Sequence, residues 1–578
     1  MKHSIFFIFI KVLIIGIFFI SCQNPISTAY TYETSTSSTD TEDTSSQEDS
    51  VITLSDSTAE LINSTYVQSI ELNQQYDISA FEGKKAFLIV TNKSSSSASL
   101  SRASSSSSVN SINDEETSSS LLNLTQYTNI PFNAPNPNIS PVISDNRSLN
   151  ASSTGTTYSL GDTKTFYGAT SSGTNTAAYG QDSILKVIGN HCYVWYKSKS
   201  GISISDDQLQ TLANTFDSIY EKETYLFGTN YDENCNFSNI INIQSEQKVH
   251  LLVYDIFDDY TSGQNSGTFG YFWSLDFNIN DDDATESYMS NECQCLHLDS
   301  YFLQAAEDTM RSTIAHEFQH LLHYVNKTIK YASSTGSNNF RYSDTWFNEM
   351  MSMICEDIMQ TQIELDDDAS PKARLPYFNA YHNKGFYTWR SNDDVYISYA
   401  NAYAFGAFLV RNFGIDFIKT LATNNYINEE AITQALISKG AALQSFSAVL
   451  DKFYNAILKP TSSEYTLNKT VSKTYTDIGD SPVTFTCSAI NLNDYQTISS
   501  SQMTSRYVSY YYNASLGSAY NGPLILNTQI FYSSLSPYGM FVSYWGTVGD
   551  DDLPTTYKLS SNISSSSSNL TYKLVFMD

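Results

Sequence analysis

Positive charge is the scarcest property of this chain. Its 578 residues include 31 Lys and Arg against 60 Asp and Glu, a formal net charge of −29. A surface of that sign is repelled by phosphate backbones, which argues against a nucleic-acid-binding role. Charge of either sign is thin, at 16% of residues, and polarity is carried instead by Ser, Thr, Asn and 42 Tyr. Long apolar runs are also lacking. Outside residues 5–20, a run interrupted by Lys11, no stretch is long and apolar enough to span a bilayer. Cysteine numbers only seven. Beyond Cys22 the remaining six (Cys192, Cys235, Cys293, Cys295, Cys355 and Cys487) give no readable connectivity, and Cys355 reads as a buried free thiol.

Histidine is nearly as scarce, with eight in the chain. Two of them stand four residues apart in His316-Glu317-Phe318-Gln319-His320. A helix turns about 100° per residue, so this spacing stacks the two imidazoles on one face, where both can reach one Zn²⁺. The glutamate between them is then placed as general base for a metal-activated water. On a helical wheel with His316 at zero, His320 falls at about 40° and His323 at about −20°. Met310, Ile314, Phe318, Leu321 and Val325 fall between about 120° and 200°, an apolar stripe opposite the histidines. Residues 307–324 contain no Pro or Gly, so the segment reads as one helix. Three ligands from one straight helix converge poorly on a tetrahedral metal, and His323 is assigned to the cleft wall or to a supporting contact.

A catalytic zinc needs a third protein ligand and an open position. Residues 344–360 read as a second helix, with Phe347, Met351, Ile354 and Ile358 opposite Glu349 and with Glu356 at about −20° from it. Glu349 is the expected third ligand. Glu356 is the expected acceptor for an imidazole N–H.

HEFQH followed by Trp346-Phe347-Asn348-Glu349-Met350-Met351-Ser352 resembles the gluzincin metallopeptidases, whose third zinc ligand is a Glu on a second helix, often within W-x-N-E-G-x-S. Residues 315–320 and Asn348-Glu349, with Gly270-Tyr271-Phe272-Trp273 and Ser290-Asn291-Glu292 upstream, look more closely like the hyicolysin family of bacterial neutral metallopeptidases, over roughly residues 189–414. The resemblance implies one catalytic zinc, protein or peptide substrates and a tyrosine or histidine that stabilises the oxyanion. Tyr403, in Tyr403-Ala404-Phe405-Gly406, is the candidate, with Tyr399 and His382 as rivals. Two positions depart from the pattern. Met350 stands where Gly is usual, which would narrow the cleft, and Met353 stands where thermolysin-like enzymes carry an Asp that orients a histidine.

The expected fold class is α+β. A zincin-like core, with a small mixed sheet, the HEFQH helix and then a mainly helical subdomain, is flanked by β-rich modules at both ends. Strands are expected at 249–254, 270–277 and 293–298, one of the last two forming the edge on which peptide substrate adds as a further strand. The expected divisions are a signal peptide at 1–21, a lipidated Cys22 with a Ser/Thr-rich tether to 56, and a β-rich region with a polyserine insert at 57–186. The peptidase domain follows at 187–460, then a β-sandwich-like module at 461–578. Phe19-Ile20-Ser21-Cys22 resembles a bacterial lipobox, which implies export to the cell envelope and membrane attachment through a lipid alone. Asp281-Asp282-Asp283 and Asp366-Asp367-Asp368 could hold Ca²⁺, but they lack calcium-loop spacing and read as solvated loops. Cys293-x-Cys295 with His297 lacks the second pair that would complete a zinc motif.

Two rival readings share these residues. One is an inactive, metallopeptidase-like adhesin, for which Met350 and Met353 leave room. The other is a zinc aminopeptidase, but the Gly-x-Met-Glu-Asn strand that would hold a substrate's amino terminus is missing.

Overall fold

In the computed structural model, the described residues run from 51 to 578. Several internal stretches are left out, the longer ones being 102–156, 170–179, 281–288, 500–506 and 509–518. Cys22, the signal and tether segments up to residue 50, the polyserine insert and Asp281–Asp283 all lie outside them. Among the described residues no helix is long and apolar enough to cross a membrane.

The site is carried by a six-stranded sheet made of β1 (Thr163–Phe166), β2 (Gln181–Ile188), β3 (Cys192–Tyr196), β4 (Val249–Tyr254), β5 (Gly270–Phe272) and β6 (Cys295–Asp299), in spatial order β5-β6-β4-β3-β2-β1. Strands β3, β4 and β6 run parallel, whereas β5, β2 and β1 pair antiparallel with their neighbours. Central β4 reads Val-His-Leu-Leu-Val-Tyr without alternation because both of its faces are covered. Leu251 and Val253 enter the large helical core, while Leu252 and Tyr254 enter a smaller cluster on the opposite face. The edge falls to β5, the first of the two candidates.

Helix α1 (Asp206–Phe227) connects β3 to β4 and starts at a capping box, in which Gln208 N–H donates to Ser205 Oγ and the Gln208 side chain accepts from Ser205 N–H. Helix α2 (Glu307–His323) carries HEFQH and continues into a π-helical stretch at Tyr324–Ile329. Its apolar stripe docks as the periodicity requires. Phe318 packs edge-on against Phe216 at 4.8 Å and stacks on Tyr220 at 5.5 Å, both from α1. Helices α3 (Thr345–Met359) and α4 (Val395–Phe413) close the other side. Further on, two helices, Asn428–Ser438 and Phe446–Leu458, are separated by a break around Gly440 at φ +63°.

The two β-rich ends are not separate modules. Thr65–Ile70 and Lys85–Asn92 from the first end pair with Met540–Thr547 and Leu570–Met577 from the last, within one seven-stranded sheet. Phe87 and Ile89 point into the helical core, and Ala86, Leu88 and Val90 point into a second cluster on the far face. Alternation identifies a strand but not its partner, so sequence reading assigned each end to its own module. The boundaries move as well. β1 and most of β2 lie before 187, and the hairpin Val471–Tyr475 with Val483–Cys487 buries Phe485 and Cys487 in the helical core. Cys192, Cys235, Cys293, Cys295, Cys355 and Cys487 are all free thiols.

Candidate metal centre

His316 and His320 project from α2 towards α3, with their rings edge-to-face at 4.7 Å. Glu349 meets them from α3. Its Oε2 lies 3.0 Å from His316 Nε2 and 3.5 Å from His320 Nε2. Each histidine is oriented through its other nitrogen. His316 Nδ1 hydrogen-bonds Glu356 Oε1 at 2.7 Å, and Glu356 Oε2 accepts from Ser312 Oγ at 2.6 Å. His320 Nδ1 lies 3.1 Å from Asn348 Oδ1 and 3.0 Å from Ser352 Oγ, whose hydroxyl donates to Gln319 Oε1 at 2.5 Å. The imidazoles line no open cleft as they stand. His316, Glu317, His320 and Glu349 are at most 1% exposed.

Burial works against charge on His316, but hydrogen bonds to Glu349 and Glu356 outweigh it and lift its pKa to about 10. Burial would likewise raise Glu349, yet the charge of His320 and the bond to His316 hold it down to about 2. Glu317 differs. Burial lifts it to about 7, against the lowering effect of His316 and His320.

Among the described residues four buried polar atoms at this site lack a well-formed hydrogen bond: both carboxylate oxygens of Glu317, which the backbone N–H of Phe272 on β5 approaches, His320 Nε2 and Glu349 Oε1. Orphaned atoms this deep each cost on the order of 1–3 kcal/mol, more when charged. A Zn²⁺ ion suits this donor set of two imidazoles and one carboxylate, a three-ligand arrangement that leaves a position open. His316, His320 and Glu349 would hold it, and Glu317 would face the open position. The three ligand atoms lie within 4.8 Å of one another.

The strand beside the site is held very close. A Cβ on Gly270 of β5 would stand 2.9 Å from His297 O, 2.9 Å from Thr313 Cγ2 and 3.3 Å from Glu317 Cγ. Only glycine lets the edge strand lie this close over the HEFQH helix.

The profile of one peptidase family matches residues 189–519, more than half of the chain and inclusive of both metal helices and β5. The chain belongs to peptidase family M30. A curated relative, the neutral metalloprotease ShpI of Staphylococcus hyicus, is 25% identical over 291 residues. That alignment takes in 46% of this chain and 58% of the relative, so the chain spans a little over half of that protein's length.

Within this M30 chain, several candidates fall elsewhere than expected. Tyr403 is fully buried on α4, but its charged neighbours are Asp357 and Arg411, and its hydroxyl has no hydrogen-bond partner. Tyr399, one turn earlier on the same helix, faces the site. Its ring lies 6.5 Å from that of His316, and Glu349, Glu317 and Glu356 all act on its hydroxyl. His382 bonds Asn379 O at 3.2 Å, outside the cluster. His323 is also outside it, with Nε2 on Ser343 Oγ at 2.8 Å and its ring on Phe347. Asp366–Asp368 are exposed, and Asp367 pairs with Lys372 at 2.8 Å.

The two departures of this M30 sequence have structural counterparts. Met350 points into the core, where a Cβ on Gly406 of α4 would come within 2.8 Å of Met350 Cγ, so it does not narrow a cleft. Met353 is core as well, and Glu356 orients His316 in place of an acid at 353. Sequence reading did not find the roles of Asn348, Ser352, Gln319 and Ser312. Their one signal is that Ser352 lies four residues after Asn348, on the same face of α3.

Proposed function

We propose that this chain is a zinc-dependent endopeptidase, tethered to the cell envelope by a lipid on Cys22. The buried cluster of His316, His320 and Glu349, with ligand atoms within 4.8 Å of one another and with Glu317 Cγ close to Gly270 of the edge strand β5, carries the proposal. When bound, a zinc ion would supply an acidified water and polarise the scissile carbonyl.

The chain's own residues supply the remainder. Glu317, raised to about 7, accepts the proton of the attacking water and delivers it to the leaving amine. Glu356 and Asn348 keep His316 and His320 in fixed orientations. Tyr399, whose ring lies 6.5 Å from that of His316, takes the oxyanion-stabilising role first sought in Tyr403. The peptide adds to the free edge of β5 as a further strand, which positions its backbone over Glu317. An edge that binds an extended chain along its length favours internal cleavage over removal of terminal residues.

The test is the zinc content and casein cleavage of the purified chain and of Glu317→Gln. About one zinc at this site in both proteins, with cleavage lost by a factor on the order of 10²–10⁴ in the variant, supports the proposal. Undiminished cleavage by Glu317→Gln overturns it. Zinc bound with no cleavage of any protein would instead favour the inactive adhesin.

A further inference from the structure

On the face of the sheet opposite the helices, Cys295 and His297 stand two residues apart on β6 and therefore point the same way, while Leu296 and Leu298 face the core. Asp276 reaches them from the turn Ser274–Phe277 that follows the edge strand. Its Oδ2 lies 2.8 Å from His297 Nε2, which in turn lies 3.7 Å from Cys295 Sγ. All three side chains are fully buried, and their ligand atoms lie within 4.8 Å of one another. Tetrahedral zinc with N, O and S ligands separates those atoms by about 3.3–3.8 Å. Cys293 stands beside the triad. Its N–H donates to Asp276 O at 3.0 Å, and its thiol interacts electrostatically with that of Cys295.

We propose that Asp276, Cys293, Cys295 and His297 bind a second zinc ion, a structural one, that clamps the turn after β5 to β6. The surroundings are those of a supported metal site. Asp276 Oδ1 accepts from Asn291 N–H at 3.2 Å and from Asn291 Nδ2 at 2.9 Å, leaving Oδ2 for the ion. His297 Nδ1 lies 3.0 Å from Tyr254 Oη, itself 2.6 Å from Tyr271 Oη, and the Tyr271 ring stacks on the imidazole at 4.2 Å. Two thiolates, one carboxylate and Zn²⁺ sum to a single negative charge, and Lys164, which interacts with both thiols, balances it. A cavity of about 300 Å³ lined by Tyr158, Lys164, His250 and Cys293 gives the ion a path in. Binding releases the two thiol protons to solvent. CxCxH alone was an incomplete motif, and the missing oxygen ligand lies seventeen residues before Cys293 in the chain. The site stands independently of the proposed peptidase activity.

The test uses the full chain, purified under reducing conditions and loaded with zinc, with metal counted by mass spectrometry. The wild type should hold about two ions per chain, and His316→Ala and the double variant Cys293→Ser/Cys295→Ser about one each. Cobalt(II) substitution separates the sites. A thiolate-to-cobalt charge-transfer band should be present in the wild type and His316→Ala, and absent from the cysteine variant. Since the cysteine variant could fail to fold, alkylation of wild-type Cys293 and Cys295 gives a second readout, slow with zinc and fast after chelation. One ion in the wild type, cobalt bound without the thiolate band, zinc-insensitive alkylation, or a Cys293–Cys295 disulfide in the isolated protein would each overturn the proposal.

Discussion

Two buried clusters lie on opposite sides of one sheet, and they differ in how complete they are. Around Asp276, Cys295 and His297 the polar atoms are engaged: Asn291 holds the carboxylate, and Tyr254 and Tyr271 hold the imidazole. Around His316, His320 and Glu349 the supporting contacts are equally regular, yet both Glu317 oxygens, His320 Nε2 and Glu349 Oε1 lack a well-formed hydrogen bond. Buried polar groups in native proteins are nearly all satisfied, so unsatisfied ones mark a place where a ligand or ion is to be sought. The difference also follows from the elements used. Strand residues two apart give ligands on a stiff, hydrogen-bonded lattice, and helix residues four apart leave one wall free for Glu317.

The comparison can be broken most forcefully by removing a ligand from the open cluster. Glu349→Ala should lose that zinc ion and reduce kcat/KM on the order of 10³-fold or more, while the thiolate–cobalt band of the other cluster persists. Next in size is the tyrosine pair on α4. Tyr399→Phe should lower kcat by roughly 10²-fold with little change in KM, whereas Tyr403→Phe, beside Asp357 and Arg411, should leave kcat within about twofold. Steady-state kinetics on one peptide decides between them, and equal effects would refute the placement of Tyr399. Glu356→Gln, which weakens the contact to His316 Nδ1, should cost about 10–100-fold in zinc affinity, read by chelator competition.

The pH profile of kcat/KM sharpens the contrast further. In the proposed mechanism Glu317 works only as carboxylate, and burial raises its pKa in the metal-free site to about 7. A bound dication favours the charged form, so the acid limb should lie below pH 7 and fall about tenfold per unit beneath its midpoint. In Glu317→Asp that midpoint should move, and an unchanged limb would assign it to another group. The smallest expected effect is on packing. Gly406→Ala puts a Cβ 2.8 Å from both Met350 Cγ and Ile354 Cγ1, and should destabilise the fold by about 1–3 kcal/mol in denaturant titration.

Much of the HEFQH cluster was legible because its residues recur at helical spacing. His316, His320, Glu349 and Glu356 each lie opposite an apolar stripe, and a stripe fixes which way a helix faces. Tyr403 was misplaced for a related reason. A helix such as α4, apolar nearly all round, has no polar face from which to tell which of two tyrosines one turn apart meets the site. The second cluster was half legible. Cys293, Cys295 and His297 are adjacent in sequence, but Asp276 joins them only through the pairing of β5 with β6.

By itself the sequence determined the local elements: the helices that carry HEFQH and Glu349, the buried strand β4, and the faces on which their side chains lie. The tertiary structure decided everything that depends on partners distant in the chain. It chose β5 as the edge, put Met350 against Gly406, turned Tyr399 to the site and joined the two β-rich ends through Lys85–Asn92 and Leu570–Met577. The physical reason is that helix and strand periodicity encode which side of an element is buried, while the identity of what covers that side is set by long-range packing, which leaves no spacing in the sequence.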